Sequence, residues 1–209
     1  MQGKQESLVI IVSAPSGSGK TTMVKLLQEK LPGVRRSISC TTRAPRGDEK
    51  RDEDYIFISE EEFRDKAGAG EFLEWEENFG KCYGTPRSQV EEAVEKGEDI
   101  ILSIDVKGAR AVKKIIPESI SVFVMPPSVK ELEERLRKRN TDRESQVEVR
   151  LKEAKRELEA ADEYDYLIVN KDLAEAVAEL RTIIEKERSN RKKMGQKREE
   201  QWKKCRGTN

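Results

Sequence analysis

The chain has 209 residues with 41 Lys plus Arg, 41 Asp plus Glu and no His, so no global field recruits nucleic acid or membrane, and any His base, nucleophile or metal ligand is excluded. Charged residues make up 39% against roughly 25% in ordinary globular chains. The hydrophobic set, 35%, still supplies a core at this length, and a collagen-like, disulfide-stapled or membrane-spanning protein is excluded.

The N-terminal MQGKQES leads into too short an apolar stretch for a signal h-region or a membrane span. That predicts a soluble, cytoplasmic protein without membrane association. Leu8–Ala14 (LVIIVSA) is a continuous, β-branched apolar run, the pattern of a strand buried on both faces. Ala14, Pro15, Ser16, Gly17, Ser18, Gly19, Lys20, Thr21 and Thr22 follow it and open a helical stretch with Met23, Val24, Leu27 and Leu31 on one side, closed by Pro32-Gly33.

Strand, glycine loop and helix start together make a P-loop. Gly17 and Gly19 let successive N–H groups turn inward around a polyphosphate, and the helix N-terminus adds its positive dipole end. Lys20 reaches the β/γ oxygens, and Thr21 offers a hydroxyl to Mg²⁺. The strict pattern wants Gly where Ala14 stands. P-loop chains include GTPases, helicases, transporters and small-molecule kinases, so the loop alone does not name a reaction.

Residues 40–86 break the rhythm. Tyr55–Ile58, Phe72–Trp75 and Cys82–Thr85 read as short strands of an antiparallel sheet in a small insertion, residues 39–86, laid over the core. Its polar residues fit a nucleoside monophosphate. Arg43 and Arg46 bracket a Pro, with Asp54 and Tyr55 downstream and Tyr83 and Gly84 near the end, and guanidinium forks and phenols suit a monophosphate. Glu74 suits the N1–H and 2-amino donors of guanine, a Ser39 or Thr85 hydroxyl can donate to O6, and adenine reverses that edge.

The core then resumes. Helices are predicted over Arg87–Lys96, Lys107–Ile116 and Val129–Arg139, and strands at Ile100–Ile104, Ile120–Val124 and Leu167–Val169. Asp105 closes the first of these strands at the edge where α/β sheets bind ligands. It can hold Mg²⁺ through water or orient a ligand, and it can equally cap the next helix. Val147, Leu151, Ala154, Leu158 and Ala161 share one helical stripe, and Leu173, Val177, Leu180 and Ile184 another. Strands alternating with helices predict an α/β parallel sheet with helices on both faces.

From Lys186 the chain carries ten basic residues against three acidic ones, net +7. A solvated helical extension is expected there, with contact to RNA or a partner subunit left open. Cys40, Cys82 and Cys205 show no CxxC spacing, which fits a reducing compartment and no chemical role.

SAPSGSGKTT, SCTTRAPRGDE, DYIFIS, FLEW, YGT, SIDVKGA, PPSVKELEERLRKR and IVN recur in order from Leu8 to about Ile184. By these strings the chain resembles the guanylate kinases. The resemblance implies Mg²⁺-dependent transfer of the ATP γ-phosphoryl group to GMP, and to dGMP, giving ADP and GDP in purine nucleotide metabolism. It also implies a P-loop core (1–38 and 87–209), the 39–86 insertion as a mixed α/β GMP-binding unit, and a helical lid near 139–150. By position it assigns Ser39 and Glu74, with Thr85 beside them, to guanine. Arg43, Arg46, Tyr55 and Tyr83, next to Gly84, fall to the GMP phosphate, and Asp105 to GMP and metal. Lys20, Arg43, Arg139 and Arg150 fall to the transferring phosphoryl, with Arg135 a weaker third lid arginine, and Asn170 to the adenine side of ATP.

Ser103, Lys107 and Asn140 depart from the family pattern: Ser103 stands where an acid is common, which weakens a paired-acid site with Asp105, and Lys107 and Asn140 remove no catalytic group. A phosphopeptide-binding module of related fold, or a P-loop kinase for another acceptor, would be the alternative. Lys20, Thr21, Arg139 and Arg150 argue against the first, and Glu74 and Ser39 against the second. Either a monomer or a homo-oligomer is compatible.

Overall fold

The structure, a computed structural model, describes residues 7–138 and 144–205. Arg139 and Asn140, and with them the first part of the expected lid, lie outside the described residues. The elements in chain order are β1 (Val9–Ser13), α1 (Lys20–Lys30), β2 (Val34–Arg36), β3 (Cys40–Thr41), β4 (Ile56–Phe57), α2 (Glu60–Gly68), β5 (Phe72–Asn78), β6 (Lys81–Pro86), α3 (Arg87–Lys96), β7 (Asp99–Ser103), α4 (Val106–Ile115), β8 (Ile120–Met125), α5 (Val129–Lys138), α6 (Glu144–Glu159), a short 3₁₀ turn (Ala161–Glu163), β9 (Tyr166–Val169) and α7 (Leu173–Cys205).

The main sheet has the order β2-β7-β1-β8-β9, and every pairing in it is parallel. Alternation along β1 explains why its sequence is apolar throughout. Leu8, Ile10, Val12 and Ala14 pack with Met23, Val24 and Leu27 of α1 and Val177, Leu180 and Ile184 of α7. Val9 and Ile11 face Val90 and Ala93 of α3 and Ala109 and Val112 of α4. Each such side chain contributes roughly 1.5–3 kcal/mol on burial. The chain leaves β1 toward β7 and β2 on one side and β8 and β9 on the other, so a crevice opens at the carboxyl end of β1.

The 40–86 region forms a second sheet, β4-β3-β6-β5, around its own cluster of Cys40, Phe63 and Phe72. It is mixed rather than wholly antiparallel, because β3 pairs parallel with β4 and antiparallel with β6. The composition of the short strands could not reveal this. The direction is set by the long loop 42–55, which returns the chain alongside itself. β2 and α2 are likewise short elements that the apolar pattern did not mark. Leu132 of α5 and Ala154 of α6 bury against each other and join those two helices.

The C-terminal extension is the mostly exposed helix expected of its charge, with a docked edge that the charge did not reveal. α7 runs unbroken through Cys205, and its first basic turns are docked on the core. Arg188 Nε lies 2.6 Å from Asp99 Oδ2, and Arg191 donates to the carbonyls of Ser7 and Glu118. Asp99 is only 3% exposed and also accepts from Leu8 N at 2.8 Å, so its buried carboxylate needs a cation. Arg188→Ala should therefore lower stability by up to about 3 kcal/mol. In thermal melts Arg188→Ala/Asp99→Asn should recover most of that loss.

Candidate functional site

The crevice at the end of β1 holds a cavity of about 580 Å³ between the two sheets. Its floor is the loop Ala14–Thr22, which the sequence singled out. Gly17 and Gly19 adopt φ of 95° and 86°, backbone that only glycine enters freely, and this is what curls the loop. Ser18 N closes it on Pro15 O at 3.1 Å. α1 then begins without a side-chain cap and without an acid in its first turn. Its leading N–H groups, unlike those of α4, have no side-chain acceptor, and beside a cavity that leaves them for an anion.

Lys20 lies at the centre. Its Nζ donates to Ile104 O at 2.8 Å. Burial pulls its pKa down, opposed by the nearby carboxylates of Asp105, Glu157 and Glu74. Three acids therefore surround one ammonium, each delivered by a different element. Asp105 caps α4 through Oδ1 to Gly108 N at 2.9 Å and receives Asn78 Nδ2 on Oδ2 at 3.4 Å. The capping role the sequence allowed is real, and the residue still lines the cavity.

Glu74 arrives from β5 by way of a bulge. The register with β6 shifts between Phe72 and Glu74, so Phe72 enters the small core and Leu73 the main core. Glu74 then turns into the cavity. It is 8% exposed and accepts from Thr85 Oγ1 at 2.5 Å. Burial pushes its pKa up to about 7, with the Thr85 bond pulling down and Asp105 pushing further up. Thr85 itself is fully buried and acts by holding Glu74.

Arg43, Arg46, Tyr55 and Tyr83 line the opposite wall with Ser39 and Gly84. Arg43 lies over the Tyr55 ring at 5.2 Å and forks onto Glu49 at 2.8 and 2.9 Å. Burial lowers the Arg43 pKa, but the Glu49 bonds and the neighbouring Tyr83 outweigh it and the net shift is upward. Tyr55 is raised by burial and by Tyr83. Arg150 of α6, 9% exposed, reaches the same cavity.

Two expected residues sit elsewhere. Asn170, 4% exposed, donates Nδ2 to Ser18 O at 2.7 Å and so braces the loop; it is not among the residues that line the cavity. Arg135 pairs with Glu131 and reaches Asn170 O at 3.4 Å, off the cavity wall.

Three residues went unnoticed in the sequence. Glu49 preloads the Arg43 fork. Gly108 is pressed so close that a Cβ would stand 2.6 Å from Glu74 Oε2. Glu157 of α6 enters the cavity, where burial lifts its pKa to about 7 against the pull of Lys20. Each lies in a charged or small-residue context that spacing alone does not separate from a solvated helix face.

The donors suit Mg²⁺ brought in with a nucleotide rather than a resident ion. No group of three or more acidic or Cys side chains that could hold a metal occurs among the described residues, whereas the Thr21 hydroxyl and Asp105 carboxylate both line the cavity. Mg²⁺ ordinarily takes one or two such ligands plus phosphate oxygens and waters.

The protein-family model for guanylate kinase matches residues 6–187. The chain belongs to the guanylate kinase family. A guanylate kinase of Symbiobacterium thermophilum is 49% identical over 189 residues, covering 90% of each chain. One of Thermotoga maritima is 45% identical over 181 residues, covering 87% of each. The crystal structure of guanylate kinase from Anaplasma phagocytophilum superposes with a TM-score of 0.74 at 34% identity, covering 88% of this chain and 87% of that one. The protein is thus a kinase of the P-loop α/β class, and the known reaction of its family is phosphoryl transfer from ATP to GMP.

Were Glu74 the acceptor for guanine, it would have to be ionised, and with its pKa pushed up by burial to about 7 GMP affinity would rise with pH up to that value and level off above it. Below it, KM for GMP should climb by up to about tenfold per pH unit. In Glu74→Gln the part of the profile due to Glu74 should disappear, leaving the titrations of the GMP phosphate, near pH 6, and of Glu157, and kcat/KM for GMP should fall by roughly 10²–10⁴. Gly108→Ala, which pushes Glu74 aside, should raise KM for GMP tenfold or more while KM for ATP stays within about twofold, a difference steady-state assays resolve.

Proposed function

We propose that the cavity binds ATP on the Ala14–Thr22 loop and GMP or dGMP on the second sheet, and that it aligns them for in-line transfer. The observation that carries this reading is the pairing, across one cavity, of an uncapped P-loop helix with a buried carboxylate held by Thr85. Polyphosphate recognition needs the first and guanine recognition the second. In this reading Glu74 accepts from N1–H and the 2-amino group, and Ser39 donates to O6. Arg43, Arg46, Tyr55 and Tyr83 take the monophosphate, which displaces Glu49 from the Arg43 fork. The assigned groups address base and phosphate only, so dGMP serves as well as GMP.

A phosphate oxygen of GMP forms a bond to the γ-phosphorus as the bond to the β,γ-bridging oxygen breaks, and ADP leaves. The attacking oxygen is already ionised near neutral pH, so no general base is needed and the lack of His carries no penalty. Catalysis is alignment and charge neutralisation. Lys20 moves from Ile104 O to the β/γ oxygens, the loop N–H groups hold the β-phosphate, and Arg150 faces the transferring group. Mg²⁺ arriving with ATP, held by Thr21 and by Asp105 through water, adds positive charge to the phosphates when bound. The second sheet and the lid close over the pair and keep water from the γ-phosphate. The free thiols Cys40 and Cys82 fit work in the reducing cytoplasm.

Coupled assays of ADP release with Mg-ATP and GMP, dGMP, AMP, UMP or no acceptor test the reading. Strong dependence on GMP and dGMP with little AMP turnover is expected, and acceptor-independent ADP release would overturn it. Lys20→Ala should lower kcat by about 10²–10³ while the melting transition persists.

A further inference from the structure

The hairpin joining β5 to β6 carries a residue that its local geometry disfavours. Asn78 pairs with Lys81, so Phe79 and Gly80 form a two-residue loop, with φ of 53° and 68°. Two positive φ values in such a loop define the turn for which Asn-Gly is the preferred pair. An aromatic side chain in the left-handed region is disfavoured sterically. Burial does not compensate, since Phe79 is 54% exposed and belongs to no hydrophobic cluster among the described residues. A local rule broken without a packing gain points to function.

The ring has one distinctive neighbour. The Arg150 guanidinium carbon lies 5.8 Å from its centroid, within cation–π range. Arg150 belongs to α6, which also brings Glu157 to the P-loop side of the cavity, while Phe79 belongs to the sheet that carries Glu74 and Tyr83. The same hairpin touches the end of β7 through Asn78 and Asp105. The hairpin tip therefore bridges the acceptor sheet and the lid helix at an arginine inside the cavity.

We infer that Phe79 is a positioning residue. It holds the Arg150 guanidinium against its ring and links the lid helix to the sheet that receives the monophosphate. The inference rests on the reading above, in which Arg150 neutralises the transferring phosphoryl group. The ring attracts the guanidinium without using up its N–H groups, which donate to oxygen acceptors such as phosphate. When the acceptor sheet settles onto its substrate, the arginine moves with it.

Phe79→Asn is the informative variant because it installs the preferred turn residue while removing the ring. Its melting temperature should equal or exceed that of the parent, so loss of fold does not confound the kinetics. Its kcat should fall roughly three- to thirty-fold, with KM for ATP and for GMP within about twofold. Phe79→Trp should restore kcat. In an Arg150→Ala background the additional effect of Phe79→Asn should vanish. Parental kcat in Phe79→Asn, alongside a large loss in Arg150→Ala, would overturn the inference and leave the proposed function standing. An equal effect of Phe79→Asn in both backgrounds, or a rise confined to KM for GMP, would also overturn it. Parental kcat in Arg150→Ala would overturn the placement of Arg150 at the transferring group, and with it the inference.

Discussion

One buried ammonium organises the site. Lys20 sits at the carboxyl edge of the parallel sheet with its charge desolvated, and without phosphate its compensation comes from the Ile104 carbonyl and from the carboxylates of Asp105, Glu74 and Glu157. Those acids come from just beyond β7, from β5 and from α6, so an edge strand of the second sheet and α6 are both drawn to one point. Three acids are more than one ammonium needs, and burial resolves the excess by making Glu74 and Glu157 reluctant to ionise. The site is thus set to accept proton donors and cations on one side and phosphate on the other.

The supporting contacts follow the same logic of holding a charge still before its partner arrives. Glu49 fills the Arg43 fork, Thr85 bonds Glu74, and Asn78 bonds Asp105. Arg150 rests against Phe79. Each arrangement limits the reorganisation required when a ligand replaces the internal partner, which is where preorganised sites gain over solvent. The bulge at Leu73 has a comparable role in the backbone. It lets three consecutive residues serve two cores and one cavity, which an unbroken alternating strand cannot do.

What could be read from the sequence follows from where the physics is local. The P-loop was legible because an apolar strand, glycines at fixed offsets and a helix start are adjacent in the chain. The five-strand parallel core was legible from its β-branched runs, apart from β2, whose three residues Val34, Arg35 and Arg36 carry no such pattern. Glu74, Tyr55 and Tyr83 were legible through the chemistry of guanine and phosphate together with the resemblance. Asn170 and Arg135 were placed in the ATP site by position, whereas their partners are backbone carbonyls that no pattern announces. Glu157 and Gly108 escaped because a charged residue on a helix and a glycine in a first turn acquire meaning only from what packs on them. The helix of the basic extension was legible but its docking was not, for the same reason, since the cation paired with Asp99 lies far along the chain at Arg188.

The brace from Asn170 to Ser18 spans 152 positions of sequence. Strand β9 and the loop that follows it must therefore be in place before the glycine loop has its backing. The curl of the glycine loop is therefore a property of the assembled fold as well as of its own glycines, since a residue from the far edge of the main sheet backs it.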